Sequence, residues 1–306
     1  MLKRPIIIDT DPGIDDAVAI AIALYSEELD VKLITTVAGN VGVDKVTNNA
    51  LKLLKYFKKE VPVAMGAAAP LIRTPQDASN VHGVSGMEGF DFEEPTNDLL
   101  LDENAVNAMY KVIKDSATPI TLVPIGPLTN IALLLKIYPE VKNNIQDIVL
   151  MGGSASRGNM GVMSEFNIHV DPEAAKIVFD SGLPIVMAGL DVGWKALVLP
   201  EDSAQLENMN DVGKMIHSLF KRYRGGSMKT GLKMYDSCAI AYLLKPEMFE
   251  TTDTHVDIEL NGSMTAGTTI VDLKGYLGKP NNAKVCLDID QQLFRQWLLD
   301  SLRKCN

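Results

Sequence analysis

The chain has 306 residues, 46% of them hydrophobic and 22% charged, with a formal net charge of −10 and a sequence pI near 4.9. That balance excludes a disordered chain, and the acidic surface repels phosphate backbones, so no nucleic-acid partner is expected. Cys238, Cys286 and Cys305 are too few and too scattered for a disulfide framework or a zinc site.

No apolar run approaches the ~18 residues of a membrane helix. The opening Lys3-Arg4 pair precedes a short apolar stretch that meets Asp9, too short for a secretory leader. A cytoplasmic protein with no membrane partner is expected. In chain order, the pattern predicts a strand over Pro5–Asp9, a helix over Asp15–Tyr25, a strand over Val31–Ala38 and a helix over Val43–Phe57. Val61–Met65 reads as a strand and Glu103–Lys114 as a helix. Strands at Ile120–Pro124, Ile145–Met151 and Pro184–Ala188 alternate with helices at Leu128–Ile137 and Pro172–Asp180. The strand runs lack period-2 alternation, as expected of strands buried on both faces. Repeated βα units of this kind imply an α/β fold: an open, mostly parallel central sheet flanked by helices. Beyond Pro200 the rhythm changes. Helices are expected at Val212–Tyr223, Ser237–Leu244 and Gln291–Arg303, with late strands near Thr254–Leu260, Thr268–Leu273 and Ala283–Asp288. No linker, charge run or internal repeat divides the chain, so one domain over 1–306 is expected. The stretch Gly66–Leu100 has little periodicity, and loops that long in a domain are usually functional or disordered.

The most informative run is Asp9-Thr10-Asp11-Pro12-Gly13-Ile14-Asp15-Asp16-Ala17, where a strand ends and a helix begins. A helix N-terminus favours one or two acids, so Asp15 or Asp16 can serve as a cap. Capping does not account for four carboxylates. Crowded acids raise one another's pKa unless a cation neutralises them, and all-oxygen ligation suits a hard ion, Ca²⁺ or Mg²⁺. Other strands also end in polar or glycine-bearing turns: Val37-Ala38-Gly39-Asn40, Pro124-Ile125-Gly126-Pro127 and Met151-Gly152-Gly153-Ser154. The Gly152–Gly161 stretch lacks the spacing of a P-loop or dinucleotide fingerprint and reads as an ordinary loop. Asp171 before Pro172 is a helix start. Glu165, Asn159 and Asn167 show no such local role and are suited to binding hydroxyls.

The Asp9–Ala17 run resembles the signature of the inosine–uridine-type nucleoside hydrolases. The likeness continues in order through Thr35-Thr36-Val37-Ala38-Gly39-Asn40, His82-Gly83, Ile125-Gly126-Pro127-Leu128-Thr129-Asn130 and Met151-Gly152-Gly153. Glu165-Phe166-Asn167, Asp171-Pro172-Glu173-Ala174-Ala175, Asp236 and Gly278-Lys279-Pro280 complete it, so it spans nearly the whole chain. The bacterial ribonucleoside hydrolases of mixed purine and pyrimidine specificity are the nearest kind. The resemblance implies the nucleoside hydrolase (Rossmann-like) fold and hydrolysis of the N-glycosidic bond of ribonucleosides to ribose and free base. It also implies a homodimer or homotetramer.

Carried over by position, the resemblance implies a Ca²⁺ held by Asp11, by both oxygens of Asp16, by the backbone carbonyl of Ile125 and by Asp236. A calcium shell of roughly 6–8 oxygens then leaves room for a water and two ribose hydroxyls. Asp11 would be the general base, with Asp9 orienting the shell around it. Asp15, Asn40, Met151, Asn159, Glu165 and Asn167 would bind the ribose, and Asp15 and Glu165 would also stabilise an oxocarbenium-like transition state. In much of the family a His precedes the last metal Asp, but here Tyr235 stands there. A phenol is a weaker proton donor than an imidazolium, which puts purine cleavage in doubt. His82 is the other candidate donor. Arg222, Tyr223 and Met228 lie in an expected lid, whereas His169, His217, His255 and Trp194 are expected to be structural. Two rival readings are a phosphatase of the haloacid-dehalogenase type and a nucleoside-binding protein that has lost its proton donor. The first departs from the run, since Pro12-Gly13-Ile14-Asp15-Asp16 follows the second aspartate.

Overall fold

The computed structural model describes residues 3–306. Its first half is built of β1 (Arg4–Thr10), α1 (Ile14–Tyr25), β2 (Leu29–Thr36), α2 (Val43–Phe57), β3 (Val63–Met65), α3 (Ser79–His82), α4 (Ala105–Asp115), β4 (Ile120–Pro124), α5 (Thr129–Ile137) and β5 (Ile145–Met151). There follow α6 (Phe166–Val170), α7 (Pro172–Phe179), β6 (Ile185–Ala188), α8 (Leu190–Gly193), β7 (Leu197–Val198), α9 (Pro200–Glu207), α10 (Asp211–Phe220), β8 (Gly226–Ser227), β9 (Gly231–Lys233) and α11 (Ser237–Leu244). The chain closes with β10 (Phe249–Thr254), β11 (Val256–Ile258), β12 (Thr269–Val271), β13 (Ala283–Ile289) and α12 (Gln291–Arg303). Among the described residues no helix is long and apolar enough to cross a membrane.

The main sheet runs β10-β13-β6-β5-β4-β1-β2-β3, parallel throughout except for β10, which pairs antiparallel with β13. Period-2 geometry sends alternate β1 residues to opposite faces. Ile6 and Ile8 enter a core with Ala17 and Ile20 of α1, while Ile7 enters a second core with Met109 of α4 and Ile131 of α5. Apolar on nearly every side, α1 is buried nearly all round, and α10, α11 and α12 close over it. From β1 the chain moves outward through β2 and β3, then returns to the other flank of β1 as β4. This reversal is a topological switch point, where a crevice opens at the carboxyl ends of the strands. The Asp9–Asp16 run emerges there.

The expected strands and helices of the first half are present with small shifts at their ends. The late region differs. The strand expected at Thr254–Leu260 is the shorter β11, which pairs with β12 in a separate sheet, and β10, on the edge of the main sheet, was not expected. An edge strand faces solvent along one side, and Phe-Glu-Thr-Thr-Asp-Thr therefore lacks the apolar run that marks a central strand. A helix absent from the expectation, α9, starts with Pro200 in its first turn, and α10 stops at Phe220.

Candidate active site

The floor of the crevice is made of acids. Asp11 follows β1 directly, and Asp15 and Asp16 occupy the first turn of α1, whose N-cap is Gly13. Asp16 is the capping acid: it accepts from Gly13 N–H at 2.9 Å, from the Thr10 hydroxyl at 2.6 Å and from Asn40 Nδ2 at 3.2 Å. Asp236 arrives from the far end of the chain as the N-cap residue of α11. Asp15, Asp16 and Asp236 each bring a carboxylate oxygen within 4.8 Å of the others. Asp11 stands beside this group. Its Oδ2 accepts from Asn40 N–H at 2.7 Å, and two glycines give it space. A Cβ on Gly39 would lie 2.1 Å from Asp11 Oδ2, and one on Gly126 would lie 2.6 Å from Asp11 Oδ1. The tightest trio thus contains Asp15 where the resemblance placed Asp11.

All four acids are buried and have raised pKa values. Burial is the largest cause for each; repulsion from Asp16 comes next for Asp11 and Asp15, and repulsion from Asp15 for Asp236. Asp15 is pushed up to about 7. No Lys or Arg among the described residues forms an ion pair with any of them; the nearest basic group is His82, with Nδ1 3.9 Å from Asp15 Oδ1. Below them Asp9 accepts from Thr35 and Asn130 at 2.6 and 2.8 Å, and its buried Oδ2 has no partner. Buried carboxylates without counter-charge are costly. An all-oxygen donor set of this kind fits a hard divalent cation.

Above the floor is a cavity of about 260 Å³. Asp11, Asp15, Asn40, His82, Ile125, Met151, Asn159, Glu165, Asn167, Tyr235 and Asp236 all line it; Asp16 lies beneath. Asn167 Nδ2 donates to the carbonyls of Ile125 and Met151 at 3.0 and 3.1 Å, tying the ends of β4 and β5 together. Glu165 and Asn159 do have local roles, contrary to the expectation. Glu165 caps α6, accepting from the N–H groups of Gly153, Asn167 and Ile168 at 3.0 to 3.1 Å. Asn159 Oδ1 accepts from Phe166 N–H at 2.9 Å. Burial raises Glu165 to about 7 against those three donors.

His82 closes the short helix α3 and is buried. Ile14 N–H donates to its Nδ1 at 3.2 Å, which leaves the proton on Nε2. Burial lowers its pKa to about 4, so the ring is neutral at pH 7 and donates only through Nε2–H. Tyr223, buried beside it with ring centroids 5.5 Å apart, donates its hydroxyl to the Lys233 carbonyl at 3.0 Å. Tyr235 is seated on Gly193, where a Cβ would lie 2.3 Å from its Cδ1. Burial, and the charges of Asp15 and Glu165, raise its phenol above the ordinary value. Of the three expected lid residues, Tyr223 lines the cavity and Arg222 and Met228 do not. Arg224, unforeseen, clasps the rim by donating through N–H and Nη1 to the carbonyls of Val81 and Asn80. Only the Gly225-Gly226 pair signals that turn in the sequence. His217 bonds Ser203, His255 bonds Pro280, and His169 contacts Gln76, all outside the cavity.

A mostly parallel α/β sheet thus carries a carboxylate-floored cavity at its switch point. The family model described as inosine-uridine preferring nucleoside hydrolase matches residues 6–296. The non-specific ribonucleoside hydrolase RihC of Klebsiella pneumoniae is 55% identical over 97% of both chains, and that of Escherichia coli O139:H28 is 54% identical over 98% of this chain and 99% of its own. The solved purine-preferring ribonucleoside hydrolase from Gardnerella vaginalis superposes with a TM-score of 0.91 at 29% identity, over 99% of each chain. The chain belongs to the inosine-uridine preferring nucleoside hydrolase family, enzymes that hydrolyse the N-glycosidic bond of ribonucleosides.

Proposed function

We propose that this enzyme is a calcium-dependent ribonucleoside hydrolase with mixed base specificity, working as one domain in a cytoplasmic homodimer or homotetramer and serving nucleoside catabolism and salvage. The observation that carries the reading is the buried acidic floor, which pairs with no Lys or Arg among the described residues and opens to a cavity of about 260 Å³. Asp11, Asp16, the Ile125 carbonyl and Asp236 would hold the ion. When bound, calcium supplies the positive charge that acidifies an adjacent water and grips the ribose diol. Asp11 takes the proton of the attacking water as general base. Asn40, Met151, Asn159, Glu165 and Asn167 surround the ribose, and a site that pairs its hydroxyls rejects deoxyribose. Asp15 and Glu165 face the developing positive charge of an oxocarbenium-like transition state.

The leaving base meets two neutral donors, the Nε2–H of His82 and the O–H of Tyr235. Purines need more help at the ring than pyrimidines. Tyr235→Phe is therefore expected to lower kcat/KM for inosine about tenfold, the worth of one hydrogen bond, and that for uridine far less. Equal losses on both substrates would remove Tyr235 from that role. The whole reading is tested by measuring released reducing sugar from inosine, uridine, cytidine and adenosine with and without a chelator. Release from both base classes that stops on chelation supports it, and release indifferent to chelator overturns the calcium assignment.

A further inference from the structure

Asn159 lies midway along, and Glu165 at the end of, the long connection between β5 and α6, whose middle is exposed, and something must hold its first half. Ala155, Ser156 and Arg157 are not buried, so apolar packing does not. Thr269 of β12 grips the Ser154 backbone, accepting from its N–H at 2.9 Å and donating to its carbonyl at 2.6 Å; beyond it the holding group is Asp191, in the first turn of α8. Its Oδ2 accepts from Ala155 N–H at 2.7 Å and from the Ser154 hydroxyl at 3.2 Å; its Oδ1 accepts from the Ser156 hydroxyl at 2.7 Å. No Lys or Arg among the described residues pairs with it. The start of α8 also touches the loop through its backbone, Leu190 N–H donating to the Gly153 carbonyl at 2.9 Å. At its other end, Arg157 lies over the Trp194 ring at 4.8 Å and Gly193 seats Tyr235. Two parts of the cavity wall are therefore in contact with α8 and its C-cap.

We propose that Asp191 is a positioning residue for the hydrolysis: its carboxylate pins Ser154–Ser156 so that Asn159 and Glu165 meet the ribose in register. The proposal rests on the reading that Asn159 contacts substrate. Charged hydrogen bonds are among the stronger ones, and misplacing a binding group is costly to turnover.

The test is a double-mutant cycle of Asp191→Ala and Asn159→Ala, read as kcat/KM for uridine and as the preference for uridine over its deoxy analogues. Each single variant is expected to lose about tenfold in kcat/KM and to narrow the ribose preference, with the double variant little worse than either. Ser156→Ala, an exposed change that removes one donor, is expected to show a smaller loss in the same direction and keeps the test available should Asp191→Ala not fold. If Asn159→Ala is impaired while Asp191→Ala and Ser156→Ala are not, the positioning role is overturned and the substrate contact stands. Additive losses, with the ribose preference of the Asp191→Ala variant intact, mark a general structural role and also overturn it. An unimpaired Asn159→Ala overturns both the contact and the proposal.

Discussion

Asp11→Asn is expected to lower kcat by at least about 10³-fold while the protein folds normally. Removing a general base alone costs on the order of 10²–10⁴-fold, and the same change weakens the proposed ion site. The fold should tolerate it for a physical reason. Asp11 is buried, its ionised form is disfavoured by burial and by Asp16, and no Lys or Arg among the described residues pairs with it. An amide fills the same space and can still accept from Asn40 N–H without bringing a charge. The ion-free variant should thus melt no lower than the ion-free parent. Steady-state kinetics beside thermal melts check both halves. Parent-like turnover in the variant would remove Asp11 as base.

Chelation should do two things at once: abolish turnover and invert the dependence of stability on pH. Asp9, Asp15 and Glu165 are all pushed up to about 7, chiefly by burial. A carboxyl with a raised folded pKa binds its proton more tightly folded than unfolded. Between its unfolded value near 4 and about 7, the folded state carries more protons, so stability falls as pH rises through that window and levels off above it. The chelated protein should therefore melt highest near pH ~5 and lower near pH ~8. Calcium favours the ionised floor, so its addition should raise the melting temperature more at the higher pH. The expected shift is several degrees, since roughly 2–4 °C accompanies each kcal/mol in domains of about 150–250 residues. A chelated protein that is most stable at pH ~8, or a melting temperature indifferent to calcium, contradicts the cation assignment.

The central strands were legible because burial on both faces leaves a simple trace. Ile6-Ile7-Ile8 and Ile148-Val149-Leu150 are unbroken apolar runs wholly inside the protein. β10 was not legible because it faces solvent along one side and its pattern is mostly polar. The acidic floor was legible because Asp9, Asp11, Asp15 and Asp16 lie within one turn-and-helix start. Asp236 could be joined to them only by resemblance, since pairing over so long a separation leaves no local mark. The capping role of Glu165 was hidden because α6 has only five residues, too few to show a helical period. The neutrality of His82 was also hidden, as it follows from burial against α1 and not from the loop that carries it. The rim residues Asn80, Val81 and Arg224 sit in aperiodic segments and meet only in three dimensions.

The glycines around Asp11 have a consequence for how such an enzyme can be remodelled. Side chains at Gly39 or Gly126 would collide with that carboxylate, and one at Gly13 would lie 2.5 Å from His82 Nδ1. The inner half of the pocket is thus closed to substitution by plain lack of room. The outer half is made of the Asp77–Val81 and Arg224–Lys233 segments, joined through Arg224, whose N–H donates to the Val81 carbonyl and whose Nη1 donates to that of Asn80. Selection for a different nucleobase, in a laboratory or in nature, would find its freedom in those two outer segments, trading recognition without touching the bond-breaking apparatus.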